Sequence, residues 1–252
     1  MWIYNLYKKL FLWSDLMLSI ENHFLDTNMI LSIAFKDSNF NECREYYQLE
    51  YKRHISYNVK DETLGVIERM RLISSNVLKY IKDYMSSKNI NLSDLDYHMQ
   101  NIKRSYLNQF QDESYVFDLK KDKFVQIVED LFIEYYDEIR NAMISDDIEL
   151  ESLSLKLRKV FKGYNESVSR CLHSFEKFYF DNDPDLIDQL ISVGIHEKDA
   201  ILVDDCYNKS KDISEKFVFV TQDNGIIRCS QDASELLDSR VLFSKPILFL
   251  NN

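Results

Sequence analysis

His23-Phe24-Leu25-Asp26-Thr27-Asn28 is the stretch on which the fold turns. An apolar pair, Phe24-Leu25, runs straight into an acid, and a helical pattern begins at Met29 and continues to Phe35. That order describes a short buried strand carrying one carboxylate at its C-terminal tip, with Thr27 or Asn28 capping the helix that follows. In an open α/β sheet, ligands bind at the C-terminal edge of the strands. If this strand belongs to a parallel sheet, other strand tips deliver their polar residues to the same edge.

Downstream, Arg53 to Val59 alternates through Ile55, Tyr57 and Val59, which predicts a second strand. Lys60-Asp61-Glu62-Thr63 then opens a helix with apolar positions Leu64, Ile67, Met70, Leu72 and Ile73. Alternation of strands and helices predicts a parallel sheet with crossover helices. From about Ser74 to Phe180 strand signals vanish. Leu153, Leu157, Val160, Phe161, Tyr164, Val168, Cys171, Leu172, Phe175 and Phe178 sustain a helical seam through the end of this block. Residues 75–180 therefore read as an all-helical insertion, and 21–74 with 181–252 as the two halves of one α/β domain. In the second half, Asp183-Pro184 starts a helix, and His196-Glu197-Lys198-Asp199-Ala200 starts another. Phe217-Val218-Phe219-Val220 is a strand ending in Thr221-Gln222-Asp223, and Val241–Phe243 and Ile247–Phe249 read as short final strands.

With 252 residues, 45% hydrophobic and 29% charged, the chain has the composition of a globular protein with a substantial core. The net charge of -11 excludes nucleic-acid binding by bulk positive charge, leaving a local basic patch or bound cations as the means. The four Cys form no CxxC pair, which fits a reduced, cytoplasmic compartment and argues against a zinc site. Residues 1–20 are apolar and aromatic but interrupted by Lys8, Lys9 and Asp15, so they read as an amphipathic helix that packs on the domain or a partner, not as a membrane span. Lys52-Arg53, Lys120-Lys121-Asp122-Lys123, and Lys156 with Arg158, Lys159 and Lys162 are the basic clusters. A solvated helix face is the plainer reading of the last, and a phosphate track beside Tyr164 the functional one.

Four acids occupy comparable places: Asp26 and Asp223 after strands, Glu62 and Asp199 in the first turns of helices. Carboxylates gathered at one sheet edge repel one another unless a cation compensates. Hard oxygen donors suit Mg²⁺ or Mn²⁺, ions that activate water and stabilise phosphoryl transfer. A haloacid-dehalogenase reading would want a second Asp where Asn28 stands, and a dinucleotide-binding reading lacks its Gly-rich first turn.

Leu25-Asp26-Thr27-Asn28, Val59-Lys60-Asp61-Glu62, Lys198-Asp199-Ala200 and Val220-Thr221-Gln222-Asp223 together resemble the PIN-domain family of metal-dependent ribonucleases. The resemblance covers residues 22–74 and 183–250. It implies a parallel-sheet, three-layer α/β domain interrupted by the helical insertion. It also implies Asp26, Glu62, Asp199 and Asp223 as metal-binding catalytic acids, with Thr221 and Asn28 orienting the site. Single-stranded RNA is the implied substrate and Mg²⁺ or Mn²⁺ the cofactor. Asp61 or Glu68 could take the place of Glu62, and Asp204 or Asp205 that of Asp199. Gly225 stands where many members carry a further acid, which leaves open whether one or two metals bind. Two other readings accompany this one: a catalytically weak PIN-like interaction module, with the insertion as the surface for a second copy or another protein, and the toxin of a toxin-antitoxin pair.

Overall fold

Asn22–Leu25 forms β1 with every residue buried, as expected of a strand covered on both faces in a parallel sheet. The structure is a computed structural model that describes residues 16–87, 94–110, 119, 121–145 and 147–250. The N-terminal helix expected over 1–20 lies outside the described residues except for a helical turn at 16–18. The described residues divide into two compact units. One comprises those up to Leu64 together with those from Asn165 onward, and the other is Gly65–Tyr164.

The first unit holds a five-stranded sheet. Its other strands are β2 (Lys52–Ser56), β3 (Glu176–Phe178), β4 (Phe217–Val220) and β5 (Val241–Ser244). The order is β3-β2-β1-β4-β5, and every neighbouring pair is parallel. From β1 the chain steps outward to β2 and β3, then returns to lay β4 on the other side of β1, with β5 beyond it. The strand order therefore reverses between β1 and β4, the topological switch point at which an open α/β sheet opens a ligand crevice.

Helices α1 (Thr27–Phe35) and α2 (Phe40–Tyr46) follow β1, and α3 (Tyr57–Ser87) follows β2 directly. Asp26 takes the N-cap backbone position of α1, so Thr27 and Asn28 are its first helical residues and not its caps. β2 ends at Ser56, earlier than the alternation to Val59 suggested, and the Ser56 hydroxyl accepts from Val59 N–H at 3.3 Å to start α3. Glu62 consequently lies in the second turn of α3, not the first.

The sheet core is aromatic. Phe24 stacks on Phe219 (centroids 5.3 Å apart) and meets Phe178 at 5.9 Å. His23, fully buried, stacks on Tyr51 at 3.9 Å. Its Nε2–H donates to the Ile20 carbonyl (3.1 Å), so its Nδ1 accepts from the Tyr46 hydroxyl (2.7 Å). Burial pushes the His23 imidazole down to about 3, and it is neutral in this setting.

Gly65–Tyr164 is helical in nearly all of its described residues. It contains α4 (Leu95–Phe110), α5 (Lys121–Glu134), α6 (Tyr136–Ser145), the later part of α3 and most of α7 (Asp147–His173). Ile102, Tyr106, Phe124, Val128 and Ile139 are buried, and Tyr106 stacks on Phe124 at 6.2 Å. Lys156 pairs with Glu138 and lies over the Tyr135 ring, so part of that basic face is engaged within the unit.

The heptad-like seam is real as far as Leu172, but α7 ends at His173 and Phe175 and Phe178 leave it. Glu176–Phe178 is an edge strand, where no strand was expected. Its three residues include two charged ones, a common way of blunting a sheet edge, and the Phe175/Phe178 spacing of three mimics a helix. The final strand expected over Ile247–Phe249 is instead α12 (Ile247–Leu250), after Pro246. The ladder closes at the Val220–Ser244 pair, and Lys245 and Pro246 carbonyls accept from Leu248 and Phe249 N–H in a tight turn. α8 (Pro184–Ser192) is capped by Asp183, whose carboxylate accepts from Asp185 and Leu186 N–H. α9 (Glu197–Asp212) precedes β4, and α10 (Asn224–Arg228) and α11 (Ser230–Leu236) follow it.

Candidate active site

Asp26 sits at the tip of β1, beside β4 at the switch point. Its N–H still bonds the Val220 carbonyl (3.1 Å), so the backbone stays in the ladder while the carboxyl reaches the edge. It is 4% exposed. Although Asp26 holds the N-cap backbone position, its carboxyl makes no capping hydrogen bond of the usual kind to α1.

A closed hydrogen-bond network holds it. The Thr221 hydroxyl donates to Asp26 Oδ2 at 2.5 Å and accepts from Asn28 Nδ2 (3.1 Å) and from Asp223 N–H (2.9 Å). One donor and two lone pairs are thereby all used. The Asn28 amide also donates to Asp26 Oδ2 (2.6 Å), and its carbonyl accepts from Gln222 N–H (3.0 Å). The Gln222 side chain in turn donates to Glu42 Oε1 at 3.0 Å, which fixes the β4 tip to α2. Thr221 and Asn28, expected to orient the site, both donate to Asp26 Oδ2.

Burial pushes the Asp26 carboxyl up to about 7, opposed by the Thr221 hydrogen bond and reinforced by the Asp199 and Glu62 charges and opposed also by Thr27 N–H. None of these influences is a cation. The Asp199 and Glu62 charges thus both act on Asp26. Glu62 is held by Thr27, whose hydroxyl donates to Glu62 Oε2 at 2.6 Å. Asp61 is exposed, and Glu68 is bound by Arg71 at 2.8 and 2.5 Å, so Glu62 is the acid tied to the β1 tip. Asp199 lies in the first turn of α9, half-buried.

Asp223 differs from the other three. It is exposed, caps α10 by accepting from Gly225 N–H, and is not among the charges that set Asp26. A Cβ at Gly225 would stand 2.9 Å from Asp223 Oδ1, so the glycine suits this capped turn. Of the other three acids, Glu62 and Asp199 are among the charges that act on Asp26, and Asp223 is not.

Asp204 and Asp205 are both fully buried and have other work. Asp204 accepts from Asp183 N–H (3.0 Å), Asn182 Nδ2 (3.3 Å) and Asn208 Nδ2 (3.1 Å). Asp205 accepts from Asn58 Nδ2 (2.9 Å) and from Ser56, and burial pushes it up to about 6. They tie α9 to the β3–α8 connection and to the start of α3. Thr27 is the participant that pattern reading missed; a hydroxyl beside a strand-tip acid was the available signal.

Among the described residues, no three His, Cys, Asp or Glu side chains are gathered closely enough to hold a metal ion together. Mg²⁺ is commonly held by one or two carboxylates and several waters, so the donor set of Asp26 with Glu62 and Asp199 is compatible in chemistry with such an ion. No family model, no curated protein and no solved structure matches the chain. No described helix is long and apolar enough to cross a membrane, and all four cysteines are free thiols.

Proposed function

We propose that this chain is a PIN-like, divalent-metal-dependent ribonuclease that hydrolyses phosphodiester bonds in single-stranded RNA. The observation that carries the reading is Asp26: a carboxyl buried at the sheet's switch point, pushed up to about 7, beside two further carboxylates and with no cation among the groups that set it. A protein that places acids so unfavourably for their own ionisation is arranged for positive charge to be supplied from outside.

Asp26 would be the primary ligand to Mg²⁺ or Mn²⁺ in this reading, with Glu62 and Asp199 as the further carboxylates that would hold the ion. Such an ion, when bound, lowers the pKa of a water and neutralises charge on the phosphoryl oxygens. The residues do the rest. Thr221 and Asn28 hold Asp26 Oδ2 in one orientation, and Thr27 holds Glu62 toward the same tip. Asp199 supplies negative charge from the first turn of α9. Asp223, the fourth acid, is exposed and its carboxylate is engaged by Gly225 N–H.

Mn²⁺-dependent cleavage of an end-labelled single-stranded RNA is the test. Asp26→Asn is expected to lower the rate by about a hundredfold or more, the size of a single positioned catalytic group's contribution. Purified wild-type protein that cleaves no RNA with any divalent ion would refute the enzyme reading.

A further inference from the structure

The sheet edge that carries Asp26 also carries exposed aromatic surface. Among the described residues of the sheet-bearing unit, the large hydrophobic side chains left exposed are Leu16, Tyr57, Tyr179, Ile191 and Ile247. Isolated exposed hydrophobics need no explanation. Here, however, Tyr57 directly follows the last residue of β2, and Tyr179 directly follows the last residue of β3. Ser56 and Phe178 are register partners, so the two tyrosines follow the paired ends of neighbouring strands. Phe24 pairs with His54, which places Asp26 level with Ser56 one strand further in. The edge therefore reads Tyr179, Tyr57, Asp26 in spatial order. Folding alone does not call for this, since Phe178 beside Tyr179 is buried while Tyr179 is 65% exposed and Tyr57 is 42% exposed.

Lys60 stands one helical turn after Tyr57, its Nζ 5.3 Å from the centroid of the Tyr57 ring. An exposed ring with a cation beside it, and a second exposed ring after the end of the neighbouring strand, are the parts with which single-stranded nucleic acid is held: bases stack on aromatic faces and a phosphate meets the cation. The protein's charge of -11 disfavours a strand held by electrostatics alone, so affinity has to come from stacking.

We infer that Tyr57 and Tyr179 form a stacking platform for two neighbouring bases of single-stranded RNA, to one side of the phosphate at Asp26, with Lys60 contacting the intervening backbone. The inference rests on the ribonuclease reading for its substrate class but not for its residues. Stacking is indifferent to base identity, so the platform sets the strand's direction and register and not its sequence.

Fluorescence anisotropy with the full chain tests it, using a labelled oligouridine and an abasic oligomer of equal length in Ca²⁺ buffer, the oligomers being checked intact on a gel. Wild type is expected to prefer oligouridine. Tyr57→Ala and Tyr179→Ala should each weaken oligouridine binding about fivefold or more and leave abasic binding unchanged. Tyr57→Phe, which keeps the ring, should retain wild-type affinity. Alanine variants that bind oligouridine as wild type does, or a wild type that binds the two oligomers equally, overturn the inference. Mn²⁺ titration of the same samples separates the two readings. If Mn²⁺ binds and the alanine variants keep their RNA affinity, the platform alone fails. If Mn²⁺ does not bind and the tyrosine variants lose RNA, the metal centre fails and the platform stands.

Discussion

Asp26→Asn should make the cation-free protein more stable at pH 8, by roughly 2–4 kcal/mol. The Asp26 carboxyl moves from an ordinary 3.8 to about 7 on folding, and each pKa unit corresponds to about 1.4 kcal/mol. The folded state therefore binds this proton more tightly than the unfolded chain. The stability that comes with it is complete below about pH 4 and is lost as pH rises through 7. At pH 8 the wild type must hold a buried carboxylate against Asp199 and Glu62. Asparagine keeps the shape and an oxygen for Thr221, but carries no charge. The gap between variant and wild type should be small at pH 4 and widen up to about pH 7. Comparing the two proteins at each pH matters, because His23 drives the opposite trend: its depressed imidazole contributes stability that is present above pH 6.5 and lost as pH falls toward 3. Denaturant melts in EDTA across this range are the measurement. An Asn variant no more stable than wild type at pH 8 would contradict the electrostatic description of the site.

Phe24→Ala should cost about 3–5 kcal/mol, the usual penalty for emptying a fully buried phenylalanine site. Phe24 is wholly buried in the central strand, between Phe219 on β4 and Phe178 on β3. Removing its ring leaves a cavity that spans three strands, with Asp26 only two residues further along the chain. Phe24→Leu should cost distinctly less, since it refills part of that space. Urea titration reads both; a loss below about 1 kcal/mol for the alanine variant would mean that the β1 core does not organise the sheet as described.

The parallel sheet was legible because β1, β2, β4 and β5 are short apolar or alternating runs bounded by polar residues. β3 was not legible. With three residues, two of them charged, it has no pattern of its own, and tertiary pairing with His54–Ser56 makes it a strand. Ile247–Leu250 failed in the other direction: its residues favour strands, but the ladder has already ended at Ser244 and Pro246 starts a turn. In the site, Asp26 and Asp199 stood out because acids at a strand tip and in a helix's first turn are positional signals. The tie between Glu62 and the β1 tip was not legible, because it rests on a hydrogen bond from Thr27, a residue distant in sequence. Asp223 was legible as an acid after β4, but its engagement with Gly225 N–H depends on a turn geometry that spacing alone does not reveal.

Calorimetric titration of the cation-free protein with Mn²⁺ at pH 6, repeated in buffers of different ionisation enthalpy, shows whether Asp26 holds a metal ion. Asp26, pushed up to about 7, is mostly protonated at that pH, and a ligating carboxylate must give up its proton. The expected result is saturable binding by wild type that releases about one proton, and no such binding or release by Asp26→Asn. Mn²⁺ binding that Asp26→Asn leaves intact, or no binding by wild type, would contradict a metal centre built on Asp26.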